Sequence, residues 1–124
     1  MNEDNGGHSH WVYSLAVSNN GIIVSGSWDN TIKVWDSDYN LIKTLNGHSG
    51  NLQALIFNHD GCLISGSFDK TIKIWSKQYD LLKTLDEEAG GHSDYIEAIA
   101  ITSDGLLISG DGNEKIKIWS KQYD

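Results

Sequence analysis

The sequence predicts an all-β chain built from three copies of one strand-forming unit. Three observations carry that expectation. Gly-His-Ser recurs at residues 7–9, 47–49 and 91–93, and Trp35, Trp75 and Trp119 recur at the same offsets of 40 and 44. Between these marks run short stretches that partly alternate apolar and polar residues, and none keeps a helical period. Thirteen glycines and no proline in 124 residues fit short strands joined by glycine turns.

Each unit reads as a sequence of strands. The first stretch is WVYSLAV (11–17), NLQALIF (51–57) or YIEAIAI (95–101). Asn20-Gly21, Asp60-Gly61 or Asp104-Gly105 follows, a pair that tolerates positive φ and closes a hairpin. The second stretch is IIVSGS (22–27), CLISGS (62–67) or LLISGD (106–111), ending in a tight turn that holds Asp29, Asp69 or Asn113. The third is TIKVW (31–35), TIKIW (71–75) or KIKIW (115–119), with a period of two: Ile32 and Val34 face one side, Thr31, Lys33 and Trp35 the other. The fourth is LIKTL (41–45) or LLKTL (81–85). Residues 116–124 repeat 72–80 letter for letter as IKIWSKQYD, yet only the first copy runs on into LLKTL. Eleven strands are expected, with the third unit lacking its outer one.

Composition narrows the function classes. Nine lysines and no arginine face seventeen acidic residues, a formal charge of −8. That balance argues against nucleic acid and anionic membranes as partners and favours a basic peptide or protein. No apolar run approaches the roughly 20 residues of a membrane span. The acidic start does not read as a targeting peptide, and the single Cys62 forms no internal disulfide, so a cytoplasmic setting is expected. Cys62 is expected to be buried and inert.

The recurring Gly-His, Asn/Asp-Gly turn, Ser-Gly, turn Asp and Trp-Asp (Trp35-Asp36, becoming Trp-Ser at 75–76 and 119–120) resemble WD40 repeats over nearly the whole chain. The resemblance implies β-propeller blades over about 7–46, 47–90 and 91–124, with residues 1–6 a disordered lead-in. It also implies a buried hydrogen-bond chain in each blade, and so a structural rather than catalytic role for the Ser-His-Asp groupings. The first chain comprises His8, Ser25 or Ser27, Asp29 and Trp35; the second His48, Ser65 or Ser67, Asp69 and Trp75. In the third, His92, Ser109 and Trp119 are joined by Asn113, because Asp111 occupies the place of the second Ser. A neutral Asn is expected to hold its His less well, which makes the third blade the least stable.

By the same resemblance, Trp11, Tyr13, Trp28, Asn51, Gln53, Phe68, Tyr95 and Glu97 lie on the propeller face that contacts partners. Trp and Tyr are the residues that most often anchor interfaces. No catalytic set, metal site or cofactor is expected; His8 and His10 lack further ligands at a compelling spacing. Three blades form only an open arc, expected to expose residues of the Ile32/Val34 and Ile116/Ile118 type at its ends. The chain is therefore expected to be a non-enzymatic interaction scaffold. It would close its ring with copies of itself, as a nine-bladed homotrimer ahead of a six-bladed homodimer. The alternative is a purely structural assembly unit, a fragment or designed piece without a ligand.

Overall fold

The computed structural model describes residues 6–124; most of the expected lead-in, residues 1–5, lies outside them. The chain folds into three antiparallel sheets laid side by side. The first holds β1 (Val12–Val17), β2 (Ile23–Ser27), β3 (Ile32–Trp35) and β4 (Leu41–Leu45) in sequential order. The second repeats this with β5 (Leu52–Phe57), β6 (Leu63–Ser67), β7 (Ile72–Trp75) and β8 (Leu81–Leu85). The third has β9 (Ile96–Ile101), β10 (Leu107–Asp111) and β11 (Ile116–Trp119).

The turns follow from local chemistry. Gly21, Gly61 and Gly105 close the first hairpin of each sheet at φ values of 86°, 83° and 91°, where a side chain would be strained. Their N–H groups donate to Ser18, Asn58 and Thr102 carbonyls. Each first strand also carries one extra residue. Val12 pairs with Ser27 and Ser14 with Gly26, which leaves Tyr13 unpaired; Gln53 and Glu97 are skipped in the same way. A bulge of this kind re-aims the side chain it carries.

The core lies between the sheets, not within them. Val24, Ile32, Val34 and Leu45 of the first sheet pack on Leu52, Leu55, Leu63 and Trp75 of the second. Ile64, Ile72, Ile74 and Leu85 of the second meet Ile96, Leu107 and Trp119 of the third. Glycine makes this contact close. A Cβ at Gly26 would stand 2.9 Å from Leu52 Cβ, and one at Gly66 2.5 Å from Ile96 Cγ2. A Cβ at the corresponding Gly110 would meet no side chain of the described residues within 4 Å.

The two ends of the arc are open, but not with the residue types expected at both. Ile116 and Ile118 are 75% and 67% exposed, as anticipated. Ile32 and Val34 are fully buried, because the third strand of each sheet points its isoleucines toward the following sheet. The other open end presents Val12, Leu15 and Val17, each more than half exposed. These are the counterparts of Leu52, Leu55 and Phe57, which pack on the preceding sheet. Cys62 is half-buried against the second cluster, less enclosed than expected.

Candidate functional site: a histidine-anchored face with an aromatic ridge

Each sheet is braced by one polar chain. In the second, Trp75 Nε1 donates to Ser65 Oγ at 2.9 Å, and Ser65 Oγ lies 2.7 Å from His48 Nε2. His48 Nδ1 lies 2.8 Å from Asp69 Oδ2. The donor inventory assigns the protons: the serine accepts from Trp and donates to Nε2, and Nδ1–H donates to the carboxylate. Ser65, His48 and Trp75 are all buried. The first sheet repeats the geometry with Trp35, Ser25, His8 and Asp29 at 3.0, 2.7 and 2.8 Å. The bridging hydroxyl is thus that of the first serine of Ser-Gly-Ser. The second serine works in the turn, where Ser27 and Ser67 accept the N–H of Asp29 and Asp69.

The third sheet corrects the expectation about Asn113. Ser109 bridges Trp119 and His92 at 3.0 and 2.7 Å, and His92 Nδ1 meets Asp111 Oδ2 at 2.7 Å. Asn113 contributes only a backbone N–H, donated to Asp111 Oδ1. The reason is reach. Asp111 starts from the position of Ser67, whose Oγ points into the turn. One atom more lets a carboxylate accept the turn N–H groups of Asn113 and Lys115 and still touch the histidine. The charge is retained, so the premise for a weaker third blade does not hold.

Sequence reading also missed Thr31 and Thr71, whose hydroxyls donate to the turn carboxylates at 2.6 Å. Their signal was the repeated Asp-x-Thr spacing. Burial pushes the Asp29 carboxyl up, but hydrogen bonds from Thr31, His8 and the Ser9 N–H outweigh it and hold it at about 2. Asp69 and Asp111 are lowered too, against the same desolvation, by bonds from His48 and Thr71 and from the Lys115 N–H and His92. The three bridging serines are buried, and each hydroxyl is already bonded to a tryptophan N–H and a histidine. Among the described residues, no three His, Cys, Asp or Glu side chains gather as a metal site.

These braces hold the turns after β2, β6 and β10, and on them stands a line of rings. Trp28 and Phe68 precede the braced aspartates. Their N–H groups donate to the Trp11 and Asn51 carbonyls, and Gly112 N–H donates likewise to Tyr95. Trp28 packs on Trp11 (5.0 Å between centroids), stacks on Tyr13 (5.4 Å) and meets Phe68 (6.3 Å). Phe68 stacks on Tyr95 at 4.7 Å. The bulged residues Tyr13, Gln53 and Glu97 flank this line, and Gln53 Nε2 donates to Glu97 Oε2 at 3.4 Å. All eight residues anticipated for the face thus belong to the bulges, strand starts and turns at one edge of the three sheets. Trp28 Nε1 and Gln53 Oε1 are shielded and have no hydrogen-bond partner among the described residues.

A family model described as "WD domain, G-beta repeat" matches residues 5–36, 39–76 and 80–120. The chain belongs to the WD40 repeat family. Its three sheets are WD40 blades. The crystal structure of the WD40 β-propeller domain of Doa1 superposes with a TM-score of 0.82 and 27% identity. That match covers 91% of this chain and 38% of the Doa1 chain. The small ribosomal subunit protein RACK1 of Dictyostelium discoideum is 52% identical over 31 residues, 24% of this WD40 chain and 9% of RACK1. The chain therefore spans well under half the length of these relatives. No helix among the described residues is long and apolar enough to cross a membrane.

Proposed function

We propose that the chain is a non-enzymatic protein-interaction scaffold that completes its propeller by head-to-tail association with further copies of itself. The observation that carries this reading is the match between its two open ends. Leu52 sits on Gly26 and Ile96 sits on Gly66 at the internal joints. Among the described residues, no glycine lies beneath Val12 and no side chain lies over Gly110. In the proposed ring, Val12, Leu15 and Val17 of one copy pack on Ile116, Ile118 and Gly110 of the next, as Leu52, Leu55 and Phe57 pack on the first sheet. Identical patches cannot do this to each other, so the contact is heterologous and repeats until the ring closes.

One joint must offset the freedom lost on association, whereas a closed ring makes every joint and leaves no apolar end in water. Three copies give nine blades at about 40° each, and two give six at about 60°, by division of the circle. We favour the trimer as the smaller departure from common propellers. The aromatic face would then recur around the ring as the surface for a peptide or protein partner.

Gly110→Leu tests the joint. Among the described residues only the Lys115 carbonyl comes as near as 4.0 Å to that position, so the variant should fold, with unchanged near-ultraviolet circular dichroism, and lose the assembled mass in light scattering. Retention of the wild-type mass contradicts the proposed joint.

A further inference from the structure

The aromatic ridge has one break, and the break is charged. Trp28 and Phe68 fill the position before the turn in the first two blades; Gly112 leaves it bare in the third. A Cβ built at Gly112 has as its three nearest neighbours Glu97 Oε1 at 3.6 Å, Asp94 Oδ1 at 3.7 Å and Asp94 Cγ at 3.8 Å. The space an aromatic ring fills in the other blades is bordered here by two carboxylates. Beside it stands the stacked pair of Phe68 and Tyr95, the latter 46% exposed.

Among the described residues, neither carboxylate is paired with a cation. Among the described residues, the one lysine–carboxylate pair within 4.0 Å is Lys43 with Asp80. Glu97 receives a single long bond from Gln53, and Asp94 Oδ1 accepts the Tyr95 N–H at 2.7 Å. The brace beneath fixes the site: Asp111 ties the Gly112 turn to His92. The chain has a charge of −8 and no arginine of its own.

We infer that the notch over Gly112 receives an arginine side chain from a partner peptide, its guanidinium bonded to Glu97 and Asp94 and flanked by the Tyr95–Phe68 rings. A guanidinium suits this place better than an ammonium. It is flat, less strongly hydrated, stacks on aromatic faces, and has donors enough for two carboxylates at once. The inference rests on the scaffold reading of the face, and not on ring closure.

The test uses the full chain, observed by amide NMR while titrated with acetyl-Gly-Arg-Gly-amide and with its citrulline and lysine counterparts. The arginine peptide should shift the amides of Tyr95, Glu97 and Gly112 saturably. Citrulline, isosteric but neutral, should bind about tenfold more weakly or not at all, and lysine more weakly than arginine. Gly112→Phe, which fills the notch as Phe68 does, and Glu97→Gln should each weaken the arginine peptide at least about fivefold, about 1 kcal/mol. Citrulline or lysine binding as tightly as arginine overturns the assignment. So does unchanged affinity in Gly112→Phe or in Glu97→Gln. Failure of the arginine peptide to shift the Gly112 amide, while a peptide lacking arginine still saturably shifts the Trp28 and Phe68 amides, refutes this inference alone and leaves the scaffold reading standing.

Discussion

Replacing Ser65 by alanine removes one oxygen and strands two partners. Trp75 Nε1–H loses its acceptor and His48 Nε2 its donor, and both residues are at least 95% buried, so water does not readily replace the hydroxyl. Each orphaned buried group costs about 1–3 kcal/mol, giving about 2–6 kcal/mol for the substitution. Ser67→Ala is the matched control. Both serines are fully buried, so the lost volume is the same. Ser67 Oγ, however, accepts only the Asp69 N–H at 3.0 Å, a loss of about 1 kcal/mol. Urea unfolding at fixed chain concentration, followed by tryptophan fluorescence, measures the difference; concentration must be held because association shifts apparent stability. Equal losses in the two variants would refute the view that the serine–histidine–tryptophan chain, rather than simple filling of space, braces the blade.

Other consequences are open to measurement. Asp111→Asn should destabilise by about 1.5–3 kcal/mol through loss of its charge-assisted bonds, and Asn113→Ala by less than about 0.5 kcal/mol because that side chain is no part of the brace; denaturant midpoints in the reverse order contradict the geometry. The lowered carboxyl pKa values make the braces acid-sensitive. For Asp29, ordinarily 3.8 and here about 2, the stabilisation is complete above the ordinary value and is lost as pH falls through about 2; an Asp29→Asn variant whose acid unfolding midpoint matches wild type would count against this. Leu15→Glu and Ile118→Glu, at opposite open ends, should each abolish the assembled mass, while their mixture should not restore it; assembly surviving either change rules out the head-to-tail joint.

Much of the fold was legible because a repeat states its own register. Three Gly-His-Ser marks and three tryptophans at common offsets place all eleven strands, and the period of two in IKVW and IKIW tells one strand face from the other. Which face meets which neighbour was not legible. Alternation shows that Ile32 and Val34 share a side, but only the packing direction of the sheets decides that this side meets the second blade. The missing information is relational, and it surfaces in Gly26 and Gly66, whose lack of a side chain matters only once a second sheet lies against them. Asp111 was misread for a related reason. Alignment equates residues by position, whereas the histidine selects a carboxylate by reach, and a side chain from two residues earlier serves. The notch over Gly112 had a faint mark in sequence, a glycine where the other units have rings, but its carboxylate border depends on a bulge that turns Glu97 toward it.

The mass of the wild-type chain in solution tests the central claim most directly. Light scattering or native mass spectrometry at micromolar concentration should find three copies of the 13.7 kDa chain, about 41 kDa, with no larger open series. A stable, monodisperse species of 13.7 kDa would show that the chain tolerates both bare faces alone, and would contradict the account.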